Sequence, residues 1–490
     1  MVDHFLASCE SEQLHLSGAI LAHGCLLVVD AGGLISHVSA NIDAWLGGAP
    51  DDWIDQPLPE ALALPVQNLA AVAGSRLVVT SVMPALPGRL MEAFDLVASR
   101  NAEGGVTLEL LEHVAEALPS GPVFSLAQTL ADQTAVSAAQ HALVEKIAEI
   151  TGFQRVMLYM FRDDGDGEVI AEARTGEVYG SYLGLRFPAS DIPQIARTLY
   201  KQNPWRLIPD ASTDPVALLA RERTPPDLTY SDLRSVSPIH RVYLANMGVC
   251  ASLSFPVVIG GGLNALVACH HNSPRQLSLG KLSQASQRVR NHAMSMTDFQ
   301  TRQRMRMIDG LTHRFDNARQ MLQRHGDVVS AWTELGAWLI QEFHADGASL
   351  CLDDECVSQG LGFEADVLAV FDPWFQTTLG EPVWSSDSLM RQSPEFPLSE
   401  VAGVLALRVK LVSGQSLRVY LCRRESIHEV AWGGNPEKPV EYHDGRLGIA
   451  PRHSFEKWME KRLGYSLSWD NETRLLALKL RELLLREIRF

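Results

Sequence analysis

Ser252-Leu253-Ser254-Phe255-Pro256-Val257-Val258-Ile259, Gly260-Gly261-Gly262 and Leu263-Asn264-Ala265-Leu266-Val267-Ala268-Cys269-His270 follow one another without a break. Two β-rich runs around a glycine turn predict an antiparallel hairpin over 252–259 and 264–270. Upstream, Leu143, Ile147 and Ile150 share one side of a helix expected over 136–150. Residues 156–161 read as a strand, and Asp163-Asp164-Gly165-Asp166-Gly167 as a tight acidic turn. That turn resembles a calcium loop in composition but lacks the twelve-residue ligand pattern. Together these pieces make a mixed α/β domain over about 125–285. Downstream, 280–325 reads as one long helix, of which 286–325 connects to the next domain. Leu282, Val289, Met296 and Gln303 recur along it at heptad spacing. This imperfect seam points to relay between domains, to dimer contact, or to a plain linker.

Toward the N-terminus, strands over 26–30 and 34–39 flank a Gly32-Gly33 turn, 41–46 is a short helix, and strands recur near 76–80, 93–98 and 106–110. This order predicts a sensor-type sheet over 21–120, with any small α+β domain as the bland alternative. Residues 1–20 carry Cys9, Leu14, Leu16 and Ile20, too apolar for a fraying tail, so something is expected to pack on them. Toward the C-terminus, a helix over 332–343 and a strand over 348–352 open a third domain, 326–475. It contains an odd stretch at about 420–465 with Gly433-Gly434-Asn435-Pro436, Asp444-Gly445-Arg446 and Pro451-Arg452-His453-Ser454-Phe455. Such length is unusual for a simple loop in a compact domain. A last helix, 470–490, ends without a stop signal and points to a further domain beyond it.

At 490 residues the chain accommodates three or four domains. Its 42 basic and 58 acidic side chains give a net charge of -16, which disfavours a nucleic-acid partner. The N-terminus lacks a signal-peptide pattern, and no apolar run reaches the roughly 18 residues of a membrane span. A cytoplasmic protein with no membrane association is expected. Seven scattered cysteines without a CxxC pair fit a reducing compartment better than a disulfide framework.

Five short motifs, in order, resemble the phytochromes. The first is Cys9 with Leu14-His15-Leu16-Ser17-Gly18-Ala19-Ile20 and His23-Gly24. The second is Phe187-Pro188-Ala189-Ser190-Asp191-Ile192-Pro193. Ser237-Pro238-Ile239-His240 follows, with Tyr243-Leu244 and Asn246-Met247-Gly248-Val249. Ala268-Cys269-His270-His271 and Pro451-Arg452-His453-Ser454-Phe455 complete the set. The resemblance implies an α+β fold of three domains in the order PAS, GAF and PHY, with long connecting helices, a PHY tongue and an N-terminal knot. It further implies a red/far-red photoreceptor that binds biliverdin covalently and switches by Z/E isomerisation of the terminal ring double bond. The signal would pass from a homodimer, through tongue and helices, to an output domain or response regulator outside this chain. No enzymatic activity is expected in this stretch. A chromophore-free ligand sensor of the same fold, or a dimerising signalling scaffold, is the alternative.

In the bacterial members the attachment thiol lies near the N-terminus. Here Ile239 precedes His240 and Arg241 follows it, so the resemblance assigns the thioether to Cys9. It assigns the pyrrole nitrogens to Asp191 and His240, the last ring's carbonyl to His270, and the propionates to Arg206, Arg234, Ser252 and Ser254. Tyr159, Tyr182, Phe187, Tyr200 and Tyr243 would cage the rotating ring, beside Ile192 and Pro193. Core packing is the rival explanation for each aromatic. Arg452 and Ser454 would reach from the tongue, Arg452 toward the Asp191 carboxylate. The alternative for Asp191 is a cap on the helix starting at Pro193. The family's Trp-Phe-Arg-Pro-Glu-like tongue run stands here as Leu421-Cys422-Arg423-Arg424-Glu425, without its aromatics and proline.

Overall fold

The computed structural model describes residues 12–82, 93–115, 127–176, 178, 180–221, 224–378, 380–393, 395–411, 414–436, 440–443, 446–449 and 455–488. Cys9, Arg452 and Ser454 lie outside the described residues. The chain forms two compact units, Met1–Gln300 with Ala431–Trp458, and Thr301–Val430 with Met459–Phe490.

In the first unit, strands Gly24–Val29, Ile35–Ser39, Arg76–Val82, Phe94–Arg100 and Val106–Glu112 form the expected first sheet. Side chains alternate across a strand, and here both faces are apolar. Cys25, Leu27 and Val29 enter the first domain's own core. Leu26 and Val28 enter a core shared with Val144, Phe153, Leu253 and Val289 of the second domain.

The second domain is built on Arg206–Ile208, Ala251–Ile259, Gly262–His271, Arg155–Phe161, Gly167–Arg174 and Arg186–Phe187, in that spatial order. The hairpin expected from the glycine turn is present, and the helix Gln133–Thr151 packs into the same core. Residues 15–21 lie between two arms of the chain that connects Ile208 to Pro238. Leu218 and Leu228 donate backbone hydrogen bonds to Gly18 and His15, and Leu21 donates to Leu233 at 2.7 Å. This is the threading expected of an N-terminal knot, and it explains the apolar terminus.

The long helix spans Leu279–His325, within one residue of the helix read over 280–325. Its heptad residues are not a free seam. Leu282 and Val289 belong to the shared core, and Met296 packs with Phe299, Leu130 and Val136. A heptad pattern records burial, whichever surface does the burying.

The second unit holds five antiparallel strands in the order Glu355–Gly360, Gly347–Leu352, Ser416–Arg424, Val401–Lys410 and Val383–Ser386. Leu405, Leu407, Leu417 and Leu421 pack with Trp332, Leu335, Leu480 and Leu484 of the helices. Ala406 and Tyr420, pointing the other way, pack with Phe371 and Phe375. The Leu421–Arg424 run thus belongs to a sheet strand rather than to a tongue. Arg423 is buried there, its guanidinium over the Trp469 ring at 3.7 Å and bonded to the carbonyls of Phe343, His344, Leu467 and Ser468. The cysteine expectation also needs correction. Cys351 and Cys356 are joined in a disulfide. They look scattered in sequence, but the hairpin register sets them directly opposite one another. No helix among the described residues is long and apolar enough to cross a membrane.

Candidate functional site

The second domain's sheet carries a cavity on one face. Alternation aims Leu266, Ala268 and His270 of one strand, Met157 and Tyr159 of the next, and Ser252 and Ser254 on the other side into the same space. Its free volume is about 1720 Å³, including the open mouth. Every described residue singled out from sequence lines it: Tyr159, Tyr182, Phe187, Asp191, Ile192, Pro193, Tyr200, Arg206, Arg234, His240, Tyr243, Ser252, Ser254 and His270. Glu12 and Leu14 of the threaded terminus join them.

One wall is cationic. Arg206 donates to the carbonyls of Asp232, Arg234 and Ser235, at 2.7 Å and 3.3 Å for the first and last. Arg234 donates to the Leu228 and Thr229 carbonyls at 3.2 Å and 3.4 Å. Burial, and then Arg206 itself, push the Arg234 guanidinium down to about 9. Two desolvated cations side by side favour an anionic ligand.

Opposite lie the polar groups of the motifs. Asp191 ends the short turn Ala189–Asp191, and the helix Gln194–Gln202 receives no side-chain cap from it. Its carboxylate instead accepts the Tyr243 hydroxyl at 3.0 Å. Arg197, missed in the sequence, fixes this turn by donating to the Ile192, Ala189 and Gly165 carbonyls. His240 and Tyr243, three apart on the helix Pro238–Asn246, stack with centroids 6.0 Å apart. Burial, then the charge of Arg206, hold His240 down to about 4. Burial, then Arg155 and His240, hold His270 down to about 3. Both imidazoles are therefore neutral at pH 7, able to donate from one nitrogen and accept at the other. The Nδ1 of His270 is buried with no hydrogen-bond partner among the described residues, which suits a ligand's polar atom.

Three further contacts were not read from sequence. Trp432 is buried and lies in parallel register with Arg186 at the sheet edge. Next to it, a Cβ on Gly433 would come within 2.5 Å of the Phe187 ring, so only glycine permits this approach. Phe455 and Tyr243 meet in a T-shaped arrangement at 5.1 Å between centroids. The Trp-Gly-Gly sequence was the available signal. Asp163–Gly167 serves structure: Asp166 accepts the Ala189 amide at 3.0 Å.

Comparison with known proteins fits this geometry. Residues 9–113 match the PAS fold, 135–288 the GAF domain and 314–489 the phytochrome region. The chain is 33% identical over 500 residues to a bacteriophytochrome of Pseudomonas aeruginosa, covering 97% of this chain and 66% of that one. It is 31% identical over 508 residues to cyanobacterial phytochrome B of Nostoc, covering 97% and 65%. The photosensory core module of the Stigmatella aurantiaca phytochrome superposes with a TM-score of 0.81 at 30% identity, over 97% of both chains. This chain belongs to the bacterial phytochromes. It is a PAS-GAF-PHY photosensory core, a red/far-red photoreceptor module of the family. It spans about two thirds of the length of the curated phytochromes it matches.

Proposed function

We propose that the GAF cavity holds biliverdin, joined through a thioether to Cys9. The cavity's chemistry fits such a group: aromatic walls, two guanidinia for carboxylates and neutral imidazoles for hydrogen bonding. The observation that carries the reading is Glu12, which lines the cavity and accepts the Ser237 hydroxyl at 3.0 Å. Cys9 lies three residues before it, hence within roughly 11 Å along an extended chain. The cysteines outside the disulfide among the described residues are Cys25, Cys250, Cys269 and Cys422, and none lines the cavity. Burial raises the Cys269 thiol far above its ordinary value, and the Cys250 thiol donates to Asp210.

When bound, biliverdin supplies absorption of red light and Z/E isomerisation of the double bond to its terminal ring. Arg206, Arg234, Ser252 and Ser254 hold the carboxylates. His240 and the Asp191 backbone hold the pyrrole nitrogens, and His270 meets the terminal carbonyl. Tyr159, Tyr182, Phe187, Tyr200 and Tyr243, with Ile192 and Pro193, shape the space around that ring. Arg452 and Ser454 of the tongue bind near Asp191 in one state only, which makes the tongue the bistable element. The chain acts as a homodimer in the cytoplasm and passes its state to an output domain or response regulator.

The test is peptide mapping and a light-minus-dark spectrum of protein assembled with biliverdin. Pigment on the Cys9 peptide and a reversible red-light difference are expected. Pigment on a Cys250 or Cys269 peptide, or no photoconversion, defeats the proposal. Arg452→Ala should keep the pigment on Cys9 while changing photoproduct yield or dark reversion. Wild-type yield and reversion would remove Arg452 from the mechanism.

A further inference from the structure

Glu109 is completely buried on the PAS strand Val106–Glu112. Its Oε1 accepts the Ser231 hydroxyl at 2.5 Å and the Leu233 amide at 2.7 Å, across 122 residues of sequence in the first case. Its Oε2 is buried with no hydrogen-bond partner among the described residues. The bonded stretch, 228–235, is the one from which the cationic wall hangs. Ser231 Oγ accepts the Arg234 amide at 3.1 Å, and Arg206 is held by the carbonyls of Asp232, Arg234 and Ser235.

The charged surroundings are few and define the electrostatics. Arg76, from the strand Arg76–Val82, forms a two-bond ion pair with Asp232, which also accepts Trp205 Nε1 at 3.1 Å. Arg206 and Arg234 face the carboxyl group's charge from the cavity side. The flanking strands place Leu26 and Val97 opposite Glu109, so neither adds a charge there. His23, beside Arg206 and Asp232, is pushed down to about 4, mainly by burial. Burial, then repulsion from Asp232, raises Glu109 to about 7 against the pull of Arg76 and its two hydrogen bonds.

We propose that Glu109 is a positioning residue of the cavity, tying the 228–235 stretch to the PAS sheet and tuning with its own charge how strongly Arg206 and Arg234 bind a ligand carboxylate. The proposal rests on reading the cavity as a biliverdin site. Ionised, Glu109 sets a negative charge behind the two arginines and weakens their hold on an anion. Neutral, it keeps both bonds to Oε1, because the proton sits on Oε2. Carboxylate affinity therefore falls as pH rises through 7. His23, His240 and His270 titrate well below this range and do not contribute.

The experiment measures equilibrium binding of biliverdin by absorbance in a Cys9→Ala background, where thiol ionisation plays no part. With Glu109 present, binding should be about five- to tenfold weaker at pH 8 than at pH 6. In Glu109→Gln, which keeps an acceptor for Ser231 and Leu233 but no charge, the ratio should stay within about twofold. The dimethyl ester of biliverdin, lacking carboxylates, should show no such dependence. An unchanged pH ratio in Glu109→Gln overturns the proposal. Absence of pigment binding to wild type at both pH values instead overturns the cavity reading. The buried charge is then judged on the apoprotein, where Glu109→Gln should raise the denaturant midpoint at pH 8 more than at pH 5; midpoints equal to wild type at both would overturn it.

Discussion

Tyr243 donates its hydroxyl to the Asp191 carboxylate at 3.0 Å. The bond joins the Phe187–Pro193 motif to the helix that carries His240, and the same tyrosine ring forms a T-shaped pair with Phe455. Asp191 therefore has a partner within the GAF domain before any tongue arginine is considered. A hydrogen bond to a charged group is worth about 1.5–3 kcal/mol. Tyr243→Phe keeps the ring and removes only that bond. It should retain pigment at Cys9 but change the dark reversion rate by about tenfold, measured as recovery of absorbance after red light. An unaltered rate would show that the bond does not distinguish the two states.

Gly433 lies against Phe187 at a separation that excludes a Cβ. Gly433→Ala should push the Trp432 strand away from Arg186 and expose the segment. Limited proteolysis should then cut within 431–458 several times faster than in wild type, with the helical content unchanged. Equal cleavage rates would mean the Phe187 ring moves aside at little cost.

The motifs made the cavity legible because each is local: Asp191 and Pro193 stand two residues apart, His240 and Tyr243 share one helix, Ser252 and Ser254 one strand. The elements of the hairpin and of the PAS sheet were legible for the same reason, through alternation and glycine turns. What escaped was long-range. Glu109 looks like one more charged strand residue until Ser231 meets it. Cys351 and Cys356 pair only once the hairpin register is known. Leu282, Val289 and Met296 show heptad spacing, yet the pattern does not reveal that the chain's own cores cover them.

Four imidazoles act on the acid behaviour of the apoprotein. His23, His240 and His292 are held to about 4 and His270 to about 3, in each case chiefly by burial. Their unfolded values lie near 6.5. Above that pH both states are neutral and nothing is gained or lost. Below it the unfolded chain takes up protons that the folded chain refuses, so stability falls until about pH 4. Glu109 acts in the opposite sense, gaining stability as pH falls through 7. Four groups at roughly 1–3 kcal/mol each outweigh one. The denaturant midpoint of the apoprotein should thus be lower at pH 5 than at pH 7, and His270→Gln should reduce the difference. A midpoint independent of pH would contradict the burial of these rings.

The proposed homodimer would have to use residues other than the heptad set that the shared core consumes. On the long helix, Met294, Met305 and Ile308 are exposed. The first two are eleven residues apart, three helical turns, and the last two are three apart, so they lie along one stripe. On the helix Asn471–Glu487, Leu476, Leu480, Leu483 and Leu484 are buried in the PHY core, while Leu475, Leu478 and Leu485 are exposed. Leu478 and Leu485 are one heptad apart, the spacing of a two-helix seam. Each stripe is apolar surface that a second copy of the chain would cover. Burying such a leucine gains about 1.5–3 kcal/mol, so two charges on the last helix should offset much of a micromolar association. Leu478→Glu with Leu485→Glu should leave pigment uptake and the dark spectrum unchanged, because neither residue lines the cavity. In sedimentation at micromolar concentration, wild type should run at about twice the chain mass and the double variant nearer to one. Met305→Glu with Ile308→Glu tests the other stripe in the same way. A wild type that is monomeric in both light states rejects the dimer for this stretch of chain, and four charges without effect on a dimer place the interface elsewhere.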